Sequence, residues 1–175
     1  LQTIVSRNVP PLEMGVVTVG AIHAGDAPNV IPGECELRLS VRAFRPDVQD
    51  LLERRISEIA QTQAAVYGAS AEVDYQRRYP VLYNHPEQTE FCQQVVRDWL
   101  GPEGLIANPE PITGSEDFAF FLQKVPGCYI MIGNGEGEQG GCMVHNSGYD
   151  FNDAVLPTGA SYWVRVAETY LAARG

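Results

Sequence analysis

Residues 35–43 alternate strictly between apolar and polar side chains, and this pattern limits the possible fold more than any other feature. A period of two predicts a β-strand that buries one face and exposes the other to solvent. The buried face of such a strand requires further strands beside it and a helical layer over it. The apolar positions of the pattern are Cys35, Leu37, Leu39, Val41 and Ala43.

The segments around this strand predict a small antiparallel sheet covered by helices. Residues 16–23 are rich in β-branched side chains and predict a strand, and residues 71–76 alternate again and predict a third. Between them, Pro46 begins an amphipathic helix, which Gly68 ends where a left-handed cap is favoured. The order is β-β-α-β. Because one helix covers such a sheet poorly, we expect the short helix at residues 1–7 to cover it as well.

That short helix also bears on where the chain begins. Leu1, Ile4 and Val5 have helical spacing, and Pro10 follows after only a few residues. The helix has no N-cap, and the chain does not begin with Met. We therefore expect these residues to start inside a longer protein.

From about residue 80 the pattern changes to helices alternating with a buried strand. Asn84 and Glu87 form an N-cap and N3 pair that predicts a helix start, and Ser115 is placed to cap a second helix. Residues 128–132 are continuously apolar, which predicts a strand buried on both faces. The predicted fold class is therefore α+β before residue 80 and α/β after it. A final helix presents Trp163, Val166, Ala167, Tyr170 and Leu171.

The net charge argues against two classes of partner. A formal charge of −10 and a pI near 4.6 disfavour nucleic acid, whose phosphates would be repelled, and anionic membrane surfaces. No apolar run approaches the roughly 20 residues that a membrane-spanning helix needs. The first residues also lack the basic and apolar regions of a signal peptide.

The cysteines predict neither a disulfide framework nor a thiolate zinc site. There are four, far apart, with no C-x-x-C pair among them. We therefore expect reduced cysteines in a cytoplasmic protein. They are Cys35, Cys92, Cys128 and Cys142.

The glycine-rich segment at residues 135–140 reads G-x-G-x-x-G, the pattern of a dinucleotide-binding turn. That function requires a helix to begin at once, so that its N-terminus can hold the pyrophosphate. Residues 141–146 do not begin a helix, and two glutamates stand where the phosphates would lie. We predict a mobile surface loop and no nucleotide site.

His145 lies in an irregular, polar and aromatic segment that joins the predicted strand to the last helix. Ligands of α/β folds gather on such loops, and neutral imidazole is a common metal ligand that nearby carboxylates could orient. The competing interpretation is a surface histidine, which spacing alone favours.

Two further segments each leave two interpretations open. Asn29 stands in a rigid turn with two prolines, where its amide could meet a ligand or bond only to the local backbone. Residues 114–118 are either a helix cap with favourably placed acids or a glycine-preceded helix start that faces a substrate. His23 and His85 carry weaker signals, at a strand end and a helix start.

Taken together and in order, three of these segments resemble the dinuclear metal amidohydrolases. They are residues 19–32 (VGAIHAGDAPNVIP), 114–118 (GSEDF) and 145–159 (HNSGYDFNDAVLPTG). That family includes hippurate hydrolases, N-acyl-amino-acid hydrolases (aminoacylases) and indole-acetyl-amino-acid hydrolases, and the bacterial hippurate hydrolases look most similar.

The resemblance implies two domains. Residues 1–80 would be a partial ferredoxin-like lid, through which subunits often dimerise, without its first strand and most of its first helix. Residues 81–175 would be the C-terminal part of an α/β zinc-peptidase-like catalytic domain. That domain holds two zinc or manganese ions in the family.

Carried over by position, the resemblance also implies roles for individual residues. His145 would be a metal ligand, and Asn29 would contact substrate, often across the dimer. Residues Gly114, Ser115 and Glu116 would line the pocket for an N-acyl amino acid. Arg42 would bind the substrate carboxylate, although a solvated arginine on a strand face fits as well.

The family's His-x-Cys-Gly-His-Asp segment and its Glu-Glu pair are absent from this sequence. The first glutamate of that pair is the general base in the family, so no catalytic residue is expected within this chain. We expect all of these to precede Leu1, and we expect the isolated chain to hydrolyse nothing. The alternative is a catalytically inactive binding or dimerisation module derived from the same fold.

Overall fold

A computed structural model describes residues 1–137 and 141–173. The chain divides into two compact units. The first comprises Leu1–Val81 together with Ile112–Glu116, and the second comprises Leu82–Pro111 with Asp117–Gly175.

The first unit contains a two-stranded antiparallel sheet and two helices. Its elements are α1 (Thr3–Arg7), β1 (Gly15–His23), β2 (Glu36–Ala43) and α2 (Pro46–Val66). The strands pair from Gly15 opposite Ala43 to His23 opposite Glu36, with a bulge between Val19 and Ala21. Both strands and the helix from Pro46 confirm the sequence-based expectation.

The core of this unit lies between the sheet and the two helices. Ile4 of α1 and Leu52 of α2 are completely buried, and Val17 of β1 is 4% exposed. Val48 and Ile56 complete the cluster from α2. The short first helix therefore covers the sheet, as its apolar spacing predicts.

The C-terminus of α2 shows why the sequence has a glycine there. Gly68 has φ +70°, in the left-handed region, and its N–H donates to the carbonyl of Ala65 at 3.1 Å. The next N–H, of Ala69, donates to Ala64 at 3.0 Å. Residues other than glycine are strained in this backbone conformation, so Gly68 sets the end of the helix.

The prediction of a third strand at residues 71–76 is wrong, because these residues form no ladder with another strand. Their side chains nevertheless alternate between partly buried and exposed, and Val73 and Tyr75 pack against the core. Arg77 then pairs with Asp50 of α2 at 2.7 Å and with Glu53. A strand also needs backbone partners, and the described residues provide none beside this segment.

The second unit is built around α3 (Pro86–Leu100), α4 (Phe118–Leu122) and α5 (Leu156–Ala172), with 3-10 turns at Pro102–Gly104 and Asp153–Val155. Phe91 of α3 meets Tyr170 of α5 edge to face, with ring centroids 5.9 Å apart. The predicted final helix is present. Its most buried side chain is Tyr162, whereas Trp163, which the spacing places on the buried face, is 62% exposed.

Three local predictions for the sequence after residue 81 are wrong. Residues 128–132 form no strand, and Met131 is 62% exposed, because a doubly buried strand needs neighbours that the described residues do not supply. His85 rather than Asn84 is the N-cap of α3, because Pro86 occupies the first helical position. Asp117 rather than Ser115 precedes α4.

No helix among residues 1–137 and 141–173 combines the length and the apolar character needed to cross a membrane.

Candidate functional site

His145 occupies a strained turn in the second unit. It has φ 68° and is the one non-glycine residue with positive φ in the described part of the chain. Two bonds close the turn, from the N–H of Asn146 to Met143 at 3.2 Å and from the N–H of Tyr149 to Asn146 at 3.0 Å. The imidazole is exposed. Left-handed backbone costs a non-glycine residue roughly 1–2 kcal/mol, and such strain is found most often at functional sites.

Asn134 fixes the far end of the segment that carries His145. Its side-chain amide donates to the carbonyl of Asp150 at 3.0 Å, and its carbonyl oxygen accepts from the N–H of Asn152 at 3.0 Å. The side chain of Asn152 in turn caps the following 3-10 turn by accepting from Ala154 at 3.1 Å. Sequence reasoning missed Asn134, whose only signal was its place two positions after the apolar segment 128–132.

The described residues do not make a complete metal site. No group of three or more His, Cys, Asp or Glu side chains is arranged there to hold an ion. A tetrahedral zinc site requires about four ligands, of which His145 would be one.

Arg42 of β2 and the loop before α4 come together in the first unit. The Nη1 atom of Arg42 donates a hydrogen bond to the backbone carbonyl of Thr113, the residue before Gly114. A guanidinium has five N–H donors, so this bond leaves others free to bind a carboxylate. The Arg42 side chain is thus bonded to the loop before α4 while remaining partly exposed.

The three predicted substrate-binding segments lie in the same unit, although they are widely separated in sequence. Asn29 and Arg42 belong to the first unit, and residues Ile112–Glu116 cluster with it rather than with the flanking sequence. Asn29 is exposed, in a turn where the N–H of Val30 donates to Ala27 at 3.4 Å. His145 belongs to the second unit.

A polar groove of about 440 Å³ lies at the loop end of the β1–β2 hairpin, where β1 leads into the connection to β2. His23 and Glu36, which face each other across the two strands, contribute to it, and neither was predicted as a site residue. The hydrogen bond from Arg38 lowers the pKa of the Glu36 carboxyl. The groove is lined by Ile22, His23, Ala24, Gly25, Asp26, Glu34 and Glu36.

The glycine-rich segment does not lead into a helix. Residues 141–152 contain turns and bends, and the next helical residues are Asp153–Val155. A dinucleotide-binding turn would require a helix to begin at this point. Residues 138–140 of the segment, and so part of the predicted mobile loop, lie outside the described residues.

Asn84 and His85 bond the residues after α4 to the start of α3. The amide of Asn84 donates to the carbonyl of Tyr129 at 2.8 Å and accepts from its N–H at 2.7 Å. The N–H of His85 donates to the carbonyl of Gly127 at 3.0 Å, and His85 Nδ1 accepts from the N–H of Gly127 at 3.2 Å. His85 therefore holds the residues after α4 beside the start of α3.

The profile of peptidase family M20/M25/M40 matches residues 7–169. The chain belongs to this family. The match covers both units and all predicted site residues, and it confirms the resemblance to metal amidohydrolases that the three motifs indicate.

Individual relatives of the family agree with this result. The chain is 34% identical to hippurate hydrolase from Campylobacter jejuni over 171 residues, which are 98% of this chain and 44% of that protein. It is 35% identical to IAA-amino acid hydrolase ILR1-like 2 from Arabidopsis thaliana over 175 residues, 98% of this chain and 39% of that protein. The chain thus spans about two fifths of the length of these relatives.

Two solved structures share the fold. One is the Bacillus subtilis YXEP protein, described as a dinuclear metal binding peptidase of the M20 family, with a TM-score of 0.71 and 27% identity over 90% of this chain and 42% of that one. The other, from methicillin-resistant Staphylococcus aureus, has a TM-score of 0.76 and 28% identity over 95% of this chain and 41% of that one. The α/β peptidase-type fold expected from the sequence is confirmed.

Proposed function

We propose that the complete polypeptide carrying this chain is a metal-dependent hydrolase that cleaves the amide bond of N-acyl amino acids of the hippurate type. The observation that carries this proposal is the family match over residues 7–169. Relatives named hippurate hydrolase and IAA-amino acid hydrolase match 98% of the chain. Both names indicate substrates in which an aromatic acid is joined to an amino acid by an amide bond.

His145 is the proposed metal ligand of this chain. Its support is the strained backbone at φ 68°, the exposed imidazole and the hydrogen bonds of Asn134 that hold the end of the segment. Strain of this kind persists only where surrounding contacts fix it, and a ligand must be held in one orientation. A neutral imidazole nitrogen is a suitable ligand for zinc or manganese.

The first unit is proposed to bind the substrate, with Asn29, Arg42 and residues 114–116 as its contacts. A guanidinium that is already fixed on one side by a backbone carbonyl is well placed to bind a carboxylate. The carboxylate is the part that all N-acyl amino acids share. The amide of Asn29 and the loop at Gly114, Ser115 and Glu116 would then contact the acyl amide.

The reaction needs residues beyond this chain. A pair of divalent ions, zinc or manganese, would supply an activated water and polarise the scissile carbonyl. The general base that takes the proton of that water is proposed to lie in the remainder of the polypeptide. Residues 1–80 are proposed to form a lid and dimerisation domain, and residues 81–175 to form part of the catalytic domain. The proposed compartment is the cytoplasm.

A second candidate is a catalytically inactive binding or dimerisation module with the same fold. The observation in its favour is that the described residues hold no group of three metal-binding side chains. In that case Arg42 and the loop at Thr113 would serve binding alone.

Hydrolysis of hippurate separates the two candidates. The complete polypeptide, loaded with zinc or manganese, should release glycine and benzoate, which liquid chromatography measures, and a chelator should stop the release. Residues 1–175 alone should release neither product. If the metal-loaded complete polypeptide cleaves no N-acyl amino acid, the inactive module is the better account.

A further inference from the structure

The apolar segment of residues 128–132 in the second unit is bonded along one backbone edge. The carbonyl of Gly127 accepts from the N–H of His85 at 3.0 Å, and the N–H of Gly127 donates to His85 Nδ1 at 3.2 Å. The backbone of Tyr129 shares two bonds with the side chain of Asn84, at 2.8 and 2.7 Å. In an extended chain, the backbone groups of residues i and i+2 point to the same side. The residues before α3 therefore occupy this side of the segment.

The opposite edge of the segment carries the backbone groups of Cys128 and Ile130. Within the part of the chain that the structure describes, neither residue makes a backbone–backbone hydrogen bond, and neither do Met131 and Ile132. A row of such N–H and C=O groups is a template on which a further strand can pair. The segment thus has the edge of a strand, although it belongs to no sheet here.

The side chains of the segment alternate as those of a strand do. Cys128 and Ile130 are half-buried. On the same face, Ile132 reaches α5, because its Cδ1 atom lies 3.4 Å from the place where a Cβ would stand at Gly159. The helical layer therefore already covers part of this face.

The other face of the segment is part of an exposed apolar surface. Met131 lies on it and is 62% exposed. Tyr129, on the same face, contacts the ring of Phe118 with centroids 5.8 Å apart, and Phe118 stacks on Phe121 of α4 at 5.8 Å. Phe121 is 65% exposed. A contiguous apolar surface of this kind marks a site of interaction.

The comparisons indicate what occupies this edge. Among its described residues the second unit contains the helices α3, α4 and α5 and no strand, whereas helices of an α/β fold pack on a sheet. The chain covers 44% and 39% of the two enzymes that it resembles, so more than half of each lies outside the matched part. A polypeptide of that length can supply the strands. A second copy of this chain would bring the same unit of helices and fits less well.

We propose that residues 128–132 form a docking edge, on which a β-strand from the remainder of the complete polypeptide pairs with the backbone of Cys128 and Ile130. Apolar side chains of the same remainder would cover Met131 and Phe121. The inference rests on the proposed function only in assuming a longer polypeptide, and it does not depend on hydrolysis.

Amide hydrogen exchange tests the proposal at single residues. The complete polypeptide and residues 1–175 are exchanged in heavy water, and electron-transfer fragmentation assigns the uptake to each amide. In the complete polypeptide, the amides of Cys128 and Ile130 should exchange about tenfold or more slowly than in residues 1–175, because a bond of the sheet must open first. The amide of Tyr129, which is bonded to Asn84 Oδ1, is the internal reference and should change far less.

Two outcomes of the exchange experiment would overturn the proposal. The first is equal exchange of Cys128 and Ile130 in the two samples. The second is protection in residues 1–175 alone that increases with protein concentration, because a second copy would then occupy the edge. If the complete polypeptide protects both amides but cleaves no hippurate, the proposed function fails and the docking edge stands.

A charge on the apolar surface provides a second measurement. Met131→Asp should hardly change the urea midpoint of residues 1–175, in which Met131 is 62% exposed. In the complete polypeptide it should lower the midpoint clearly, because a carboxylate would be buried among apolar side chains. The control is Ile106→Asp, at an 81% exposed position of the same unit, which should leave both midpoints close to wild type. Equal midpoints of the two variants in the complete polypeptide would contradict the docking edge.

Discussion

Arg42 donates a hydrogen bond from Nη1 to the backbone carbonyl of Thr113, a residue 71 positions further along the chain. This contact joins β2 to the loop that carries Gly114, Ser115 and Glu116. In the proposed enzyme, Arg42 would have two roles. One N–H group of the guanidinium bonds to the loop, and the others would be available to a substrate carboxylate.

Replacement of Arg42 tests this double role. In the complete polypeptide, Arg42→Ala should raise KM for hippurate by about tenfold or more, because a hydrogen bond to a charged group is worth roughly 1.5–3 kcal/mol. The change in kcat should be small, since substrate and transition state keep the same carboxylate. Steady-state kinetics provide both constants.

The matched control is Arg38→Ala on the same face of the same strand. Arg38 is exposed and bonds to Glu36 at 2.8 Å, so its loss should leave KM within about twofold of the wild type. A second test uses hippurate whose carboxylate is converted to a neutral amide. For this substrate, the KM values of Arg42→Ala and wild type should be similar. Equal effects of the two arginine variants would contradict the assignment.

Asn134 should matter to metal binding although it is no ligand. Asn134→Ala removes the bonds to Asp150 and Asn152, which hold the end of the segment of His145. Residues that orient a ligand typically contribute about tenfold or more to metal affinity. Competition with a chromogenic chelator measures that affinity.

Asn84→Ala is the control for Asn134→Ala, because Asn84 makes the same pair of backbone bonds elsewhere in the second unit. Both variants should lose stability by roughly 1–3 kcal/mol, as expected when bonded backbone groups lose their partner. Only Asn134→Ala should weaken metal binding. A similar loss of affinity in both would show that the effect comes from general destabilisation.

The core of the first unit depends on Leu52. This side chain of α2 is completely buried in the core beside the sheet, so Leu52→Ala should lower the free energy of unfolding by about 2–5 kcal/mol. Leu12→Ala makes the same chemical change at a position that is 97% exposed and should cost less than about 0.5 kcal/mol. Urea titrations followed by circular dichroism compare them, and equal midpoints would be inconsistent with this core.

The cap of α2 is tested by two glycine substitutions. Gly68→Ala forces a side chain into φ +70° and should cost about 1 kcal/mol. Gly33→Ala also adds a methyl group to open space, but its backbone is outside the left-handed region, so it should be close to neutral. Thermal unfolding should therefore show a lower midpoint for Gly68→Ala alone. The same shift in both would argue against a left-handed cap.

Local patterns in the sequence predicted the elements whose stabilising contacts are near in sequence. Residues 35–43 and the helix from Pro46 to Gly68 follow from periodicity and from the conformational preferences of proline and glycine. The strands predicted at residues 71–76 and 128–132 were wrong, although the first keeps its alternating burial. Alternation reports which side is covered, whereas a strand also needs a backbone partner that no local pattern reveals.

In the candidate site too, residues in local motifs could be predicted, whereas contacts between distant segments could not. His145, Asn29 and residues 114–116 could be predicted because each belongs to a motif that lies in one continuous segment. Asn134 was missed because its role arises from bonds to residues 16 and 18 positions away. The proximity of Arg42 to Thr113 likewise depends on the folded chain.

Metal content shows directly whether this chain contributes His145 to the metal centre of a hydrolase. The complete polypeptide and its His145→Ala variant are loaded with zinc, passed through a desalting column and analysed by plasma mass spectrometry, with His85→Ala as the control. We predict that His145→Ala retains clearly less metal than wild type, while His85→Ala retains the full amount. Equal metal content in His145→Ala and wild type would contradict the account.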